Sequence, residues 1–585
     1  MKSIAHKARE KQEMGRSPQA SQKKYTMTDA RDVMVRMRDG VHLAVDVFQP
    51  DSNEKFPALL AMSPYGKGIQ SMSIPRQPDS SPIHHTPIEA GNPEYLASRG
   101  YVHVIADVRG TGQSEGEYLG WMSGQEARDG YDLVEWIAAQ PWCDGNVGMV
   151  GISYYGTVQL VVAAQQPPHL KAIMPWNAPA DFYREATHHG GILQMFFHYL
   201  YVQRICAENS TSVTVKKLAK DELKRLVVKL KADPDIQINP EIFTFVDNPG
   251  KAPCFFDILA NPLDGPYYWE RSPYTMYDRI RIPFYARSGW WAYAHMHLVG
   301  AFRNYNGIDA PKKLEIDAPV VEPRPLPDEY NAEVLRWYDY WLKGMDTGIM
   351  DEPPIRFFVN GASEWRYENE WPLARTVCTK FYLRRWEELS TEPEEAIGKP
   401  DAFVQQPPDE TAKLSSIQYV SDRLKEDLEI TGPAALYLHA SIDQDDTNWI
   451  VSLRDVAPSG KQVELTKGFL KASHRALDAK LSEPHTPYHP HVNPEPVEPG
   501  RIYEYAIAFA PLSNVFKAGH RIKLVILSLD HARARDYDLA PESLGRTHAP
   551  WHLCSSKTTL HKVFHDAEHP SHLLLPVIPA SRVLS

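Results

Sequence analysis

The sharpest chemical signal in the chain is the hexapeptide Gly151-Ile152-Ser153-Tyr154-Tyr155-Gly156. It lies between a strand-like apolar run at residues 147–152 and a helix-forming run at 155–166. This is the setting of a nucleophile elbow, where a tight strand-to-helix turn lifts a serine above a sheet and beside a helix N-terminus. A plain G-x-S-x-G would have glycine at position 155, but here it stands at 156. The chemistry on offer is attack of a serine hydroxyl on an acyl carbon, which needs a base to take the hydroxyl proton. Trp290, Trp291 and Tyr293 form an aromatic cluster suited to an apolar or planar organic molecule. Two other motifs are set aside. The loop from Asp107 to Gly116 (DVRGTGQSEG) follows a strand, but its third glycine is wrongly spaced for a dinucleotide loop and no helix opens on it. His485, His489 and His491 occupy a proline-rich stretch without carboxylate or cysteine partners at ligand spacing, so no metal is expected.

The elements that must position the serine follow from hydrophobic pattern. Residues 58–62 and 101–106 (YVHVIA) are continuous apolar runs, like strands buried on both faces. A helix is predicted over 125–140, stopped by Pro141, and further strands at 147–152 and 170–175. Strand-helix alternation of this kind implies a parallel sheet with helices on both faces. From about residue 181 to 274 the texture is helical. It includes a charged amphipathic helix at 215–231 with Leu218, Leu223, Leu226, Val227 and Leu230 facing inward and a solvated charged face. Strand texture resumes at 282–287 and a helix at 331–342. After about residue 375, short runs such as 435–441, 449–453 and 521–528 between Pro and Gly turns suggest a β-sandwich or jelly roll.

Composition agrees with an enzyme of ordinary globular type. The length of 585 residues suggests about three domains. The net charge of −11 argues against a nucleic-acid groove or an anionic membrane as the main partner. No apolar run approaches the roughly 20 residues that span a bilayer. Residues 1–24 are polar and basic without an apolar stretch, which excludes a secretory signal and suggests a disordered leader. The five cysteines are scattered, which favours free thiols in a reducing, cytoplasmic setting. Self-association is left open by the sequence.

Several motifs together resemble the cocaine-esterase-like (CocE/NonD) hydrolases, relatives of the X-Pro dipeptidyl-peptidases. They are Met37-Arg-Asp-Gly40, Ser63-Pro-Tyr-Gly66, Asp107-x-Arg-Gly-x-Gly112, Gly151-x-Ser-Tyr-x-Gly156, Gly289-Trp290-Trp291, residues 336–344 (RWYDYWLKG), Asp351-Glu-Pro-Pro354 and Ser473-His-Arg-Ala-Leu-Asp478. The resemblance implies an α/β-hydrolase core (31–180 and 275–370) after a leader (1–30), an inserted helical cap (181–274) and a C-terminal β jelly roll (371–585). It implies Ser153 as nucleophile, with the Tyr65 hydroxyl and the Tyr154 backbone N–H as oxyanion hole and no cofactor.

The chain departs from the family at the rest of the triad. The family aspartate position is Ala292, and no Asp or Glu occurs between Asp278 and Asp309. The family histidine position falls near Glu322, and no histidine occurs between His297 and His439. Losing the base of a serine triad costs roughly 10⁶ in turnover and losing the orienting acid about 10⁴. Candidate substitutes are His295 and His297, just after Ala292, and Glu322 with a pKa raised by burial. His188 and His189 in the cap fit structural or substrate-contacting roles. The sequence therefore favours non-hydrolytic carbonyl chemistry (isomerase, cyclase or lyase) on a small, largely apolar substrate such as a specialised metabolite. Hydrolysis of an ester, lactone or amide with a substitute base is the alternative, and a catalytically inactive binding protein the third.

Overall fold

The computed structural model describes residues 20–72, 89–195, 210–290, 295–318, 328–411, 413–530 and 552–579. Ten strands form the first sheet: β1 (Met27–Arg36), β2 (His42–Pro50), β3 (Phe56–Ser63), β4 (Val102–Asp107), β5 (Cys143–Met149), β6 (Leu170–Ile173), β7 (Phe284–Gly289), β8 (Lys312–Asp317), β9 (Ile355–Val359) and β10 (Glu364–Glu368). Their spatial order is β1-β2-β4-β3-β5-β6-β7-β8-β9-β10. The centre from β4 to β9 is parallel, and antiparallel pairs close both edges. The apolar runs read from the sequence are its middle strands. All eight residues of β3 and all six of β4 are buried, as strands covered on both faces must be.

Helices cover the two faces. Tyr154–Ala163 is buried along its whole length, which suits a helix that is apolar on every side. Gly124–Ala138 packs beside it, opened by a Ser123 cap whose hydroxyl accepts the Glu126 N–H at 3.3 Å. On the opposite face Asp328–Lys343 lays Tyr338 against β5, where Gly148 leaves room for its ring, and Trp337 against Tyr285 of β7.

The expected leader is corrected at its C-terminal end. Ser21 donates its backbone N–H to Asp339 at 2.7 Å and β1 begins at Met27, so residues 20–30 are tied down. Residues 1–19 lie outside the described residues. The amphipathic helix expected at 215–231 is two helices, Val213–Lys217 and Lys220–Ala232. Leu218 turns extended between them, and Glu222 reaches back to accept the Ala219 N–H at 2.9 Å. Four short cap helices, Pro234–Gln237, Pro240–Asp247, Pro253–Ala260 and Pro266–Trp269, start on proline, which needs no N–H partner in a first turn.

The C-terminal unit is a 13-stranded β arrangement from Val377 to Ile578, as the short turn-bounded runs suggested. Its own core is built on Trp449, Tyr505, Leu436 and Leu524. It is joined to the cap by backbone pairing. The Leu553 N–H donates to the Leu193 carbonyl and the Lys471 N–H to the Gly190 carbonyl, both at 2.8 Å. Among the described residues no helix is long and apolar enough to cross a membrane. Cys143, Cys254, Cys378 and Cys554 are free thiols.

Candidate active site

Ser153 stands at the N-terminus of the helix Tyr154–Ala163 with φ 61° and ψ −111°. A left-handed φ on a non-glycine residue costs on the order of 1–3 kcal/mol and persists only where the surroundings enforce it. Here the Ser153 N–H donates to the Trp176 carbonyl at 2.8 Å, and the Ser153 carbonyl accepts the Thr157 N–H at 2.9 Å. The glycine at 156 explains itself. A Cβ there would lie 2.3 Å from the Trp176 carbonyl oxygen, the same oxygen that holds the serine. The crossing of helix and strand falls one residue later than in the plain elbow pattern.

The Ser153 Oγ is 3.2 Å from His297 Nε2, and both side chains are buried. His297 closes the turn after β7 and opens the helix Leu298–Gly307. A neutral imidazole there can accept the hydroxyl proton, so the histidine substitute considered from the sequence is brought to the serine. His295, two residues earlier, is not. Its Nε2 donates to the Lys467 carbonyl at 2.8 Å, and burial lowers its pKa to about 4.

Tyr65 lies over the elbow, its ring 5.7 Å from that of Tyr154 and 6.0 Å from that of Tyr155. The loop after β4 fastens its turn. The Asp107 carboxylate accepts the N–H of Lys67 at 2.7 Å and of Gln113 at 3.1 Å, while Arg109 grips Asp129 with two bonds of 2.8 and 2.7 Å. Gly112 is required there, because a Cβ would meet the Asp107 carboxylate at 2.1 Å. The former dinucleotide look-alike thus braces the turn that carries Tyr65.

Sequence reasoning missed an aromatic cluster packed beside the elbow and the acid behind it. Trp121 packs on Tyr154 at 5.2 Å and stacks on Phe182 at 5.4 Å. The Tyr154 hydroxyl donates to Glu126 at 2.7 Å and lies 3.1 Å from the Tyr118 hydroxyl. Burial pushes the Glu126 carboxyl up to about 8. The sign of the linkage is fixed: a raised carboxyl pKa stabilises the fold at low pH and loses that contribution as pH rises towards 8. The wild-type melting temperature should therefore fall between pH 5 and pH 8 more steeply than that of Glu126→Gln. Parallel slopes in thermal melts would refute this.

The other predicted residues are placed as follows. Trp290 is corrected from pocket wall to core: it is 2% exposed, its indole N–H donates to the Phe358 carbonyl, and its ring packs on Phe302 and Phe357. It follows Gly289, the last residue of β7, and its backbone N–H donates to the Asp317 carbonyl at 3.1 Å. His188 stacks on Tyr183 at 4.5 Å and is bonded to Thr187, which makes it a packing residue of the cap. His189 is bonded to His552 and to the Glu185 carbonyl, so its ring nitrogens are taken up inside the protein. Trp291, Ala292, Tyr293 and Glu322 lie outside the described residues. Among the described residues no cluster of three or more His, Cys, Asp or Glu could hold a metal. His489 instead spends both ring nitrogens on the carbonyls of Ala476 and Ala506.

Comparison with known proteins bears on the family and the fold. Residues 39–318 match the X-Pro dipeptidyl-peptidase (S15 family) profile, and residues 347–574 match the X-Pro dipeptidyl-peptidase C-terminal non-catalytic domain. The chain is similar to cocaine esterase of Rhodococcus sp., 28% identical over 94% of this chain and 98% of the relative. A CocE/NonD family hydrolase structure from Staphylococcus aureus superposes with TM-score 0.72 at 23% identity, over 94% of each chain. An aminopeptidase structure from a marine sediment archaeon gives TM-score 0.72 at 18% identity, covering 97% of this chain and 98% of that one. At such identities the two structures speak for the fold alone.

Proposed function

Because the chain belongs to the cocaine-esterase-like (CocE/NonD) α/β-hydrolase family, related to the X-Pro dipeptidyl-peptidases, we propose that it is a serine hydrolase in which His297 serves as the base. The observation that carries this reading is the 3.2 Å contact between Ser153 Oγ and His297 Nε2. It replaces the expectation of non-hydrolytic chemistry, which rested on a serine without a base. By the sequence resemblance the family acid position falls at Ala292 and the histidine position near Glu322; in this reading His297 supplies the base from a different place in the chain.

The reaction follows the acyl-transfer pattern. Ser153 Oγ attacks the substrate carbonyl as its proton passes to His297 Nε2. The oxyanion of the tetrahedral intermediate is met by the Tyr65 hydroxyl and the Tyr154 backbone N–H. His297 then gives its proton to the departing alcohol or amine. Water repeats the sequence on the acyl-enzyme and frees the acid. The buried, aromatic-rich surroundings of Ser153 favour a small, largely apolar ester, lactone or amide, and a specialised metabolite fits that description.

The test is labelling by a fluorophosphonate probe together with turnover of p-nitrophenyl esters, with Ser153→Ala as control. Labelling at Ser153 and its loss in the control are expected. No labelling, with conversion of the native substrate retained and lost in Glu322→Gln, would return the site to isomerase, cyclase or lyase chemistry. Tyr65→Phe removes one oxyanion donor and should lower kcat roughly 10²- to 10³-fold with KM little changed. An unchanged kcat would remove Tyr65 from the oxyanion hole.

A further inference from the structure

The C-terminal β-domain sends a buried chain of hydrogen bonds into the cap beside the active-site turn. Asp530 accepts from His552 twice, at its backbone N–H (3.0 Å) and at Nδ1 (2.9 Å). His552 Nε2 meets His189 Nδ1 at 2.9 Å, and His189 Nε2 meets the Glu185 carbonyl at 3.0 Å. The three imidazoles of His189, His295 and His552 pack around one ring, Phe469, at 5.4, 4.9 and 4.4 Å. His189 and His295 are 5.2 Å apart, and His295 belongs to the turn that ends in His297. The strand Gln462–Lys471 supplies Phe469 and also the Lys467 carbonyl that holds His295.

The bonding pattern counts protons. A carboxylate at one end and a carbonyl at the other can only accept, so three ring bonds through two imidazoles need three protons, one more than two neutral histidines carry. Burial, with His552 and His295 as neighbours, holds the basicity of His189 well below the ordinary histidine range. The bond that needs the third proton joins His552 to His189, and the Asp530 carboxylate is the anion bonded to that pair. Facing groups are Lys467 near Asp530 and His295, and His188 and His295 near His189.

We propose that Asp530, His552 and His189 form a positioning network, through which the C-terminal domain fixes the turn carrying His297 against Ser153. This rests on the hydrolase reading above and deepens it, because a domain of a type described as non-catalytic then sets the geometry of the base. The network touches no substrate. Its members act through Phe469 and His295.

The test compares wild type with Asp530→Asn and Asp530→Glu from pH 6 to pH 9, by thermal melting and by the rate of fluorophosphonate labelling at Ser153. The neutral amide of Asp530→Asn cannot balance the third proton, so that variant holds fewer protons when folded. The gap in melting temperature should be widest near pH 6 and narrow towards pH 9. The labelling rate of Asp530→Asn should fall about tenfold or more near pH 6, recover relative to wild type as pH rises, and be largely restored in Asp530→Glu. A gap that does not change with pH would overturn the proton count. A pH-dependent gap with unchanged labelling would reduce the chain to a structural tie and overturn the positioning role. Failure of the hydrolase reading looks different: wild-type Ser153 itself would not be labelled, while the melting gap would still report on the chain.

Discussion

Replacing His297 with alanine is expected to lower ester turnover by roughly 10⁴- to 10⁶-fold while leaving the fold intact. The lower figure is the upper end of what a positioned general base contributes, and the higher is the loss on deleting the base of a complete serine triad. The imidazole lies 3.2 Å from the serine oxygen, and no other imidazole is in hydrogen-bond contact with that oxygen among the described residues. Without it Ser153 is an ordinary alcohol whose proton has nowhere to go at neutral pH. His295 cannot take over, since its ring is bonded to the Lys467 carbonyl in the other direction. The measurement is kcat/KM on a p-nitrophenyl ester, with thermal melting to show that the protein still folds. The same loss is expected for Ser153→Ala, and the double variant should be little worse than either single one, because the two groups act as a unit. Activity within tenfold of wild type in His297→Ala would mean that another group is the base.

The second large effect is on stability. Arg287 lies in β7 beneath the elbow, 3% exposed. Its guanidinium pairs with Glu315 of β8 and covers the Trp176 ring at 4.3 Å. Its backbone bridges the neighbouring chain, since the Arg287 N–H donates to the Pro175 carbonyl and its carbonyl accepts the Asn177 N–H. Arg287→Met keeps much of the volume and removes the charge. Glu315 would retain Arg356 at 3.3 Å but lose its nearest partner in a dry interior. Breaking a buried ion pair from one side costs about 3–5 kcal/mol. The expected result is a core unfolding transition moved to clearly lower denaturant, with the C-terminal domain transition unmoved. Turnover should fall as well, because Trp176 supplies the carbonyl that holds Ser153. A variant as stable as wild type would show that the pair contributes nothing net.

Much of this architecture is legible in local patterns, and the parts that are not have physical reasons. Strands β3 and β4 announce themselves because burial on both faces demands uninterrupted apolar residues. Ser153 is legible because strand, turn and helix signals converge on it within a few residues. The choice between His295 and His297 is not, since two residues in one turn differ only in where the turn points them, and that is decided by the Lys467 carbonyl on a distant strand. Trp290 misleads for a related reason: aromatic residues near an elbow look like pocket wall, yet this one, just past the end of β7, packs into the core. Glu126 hides inside a Ser123-x-x-Glu126 helix-start signature, which assigns its carboxylate to capping, whereas that carboxylate accepts the Tyr154 hydroxyl. The link between His189 and His552 has no sequence signal at all, because it joins two domains.

The backbone pairing of Leu193 with Leu553 also sets a timetable for synthesis. The ribosome makes the cap hairpin, whose strands are His188–His189 and Ile192–Leu193, about 360 residues before the segment that pairs with it. At roughly 5–20 residues per second the hairpin waits some 20 to 70 s for its partner. During that interval the emerging core can form its sheet, since β1 to β10 all precede residue 369. The hairpin and the turn that carries His297 still lack the contacts that seat them. On the hydrolase reading, nucleophilic competence is then a late event, reached only when nearly the whole polypeptide has been made, and a nascent chain cut short before residue 552 is expected to leave a folded but unseated serine.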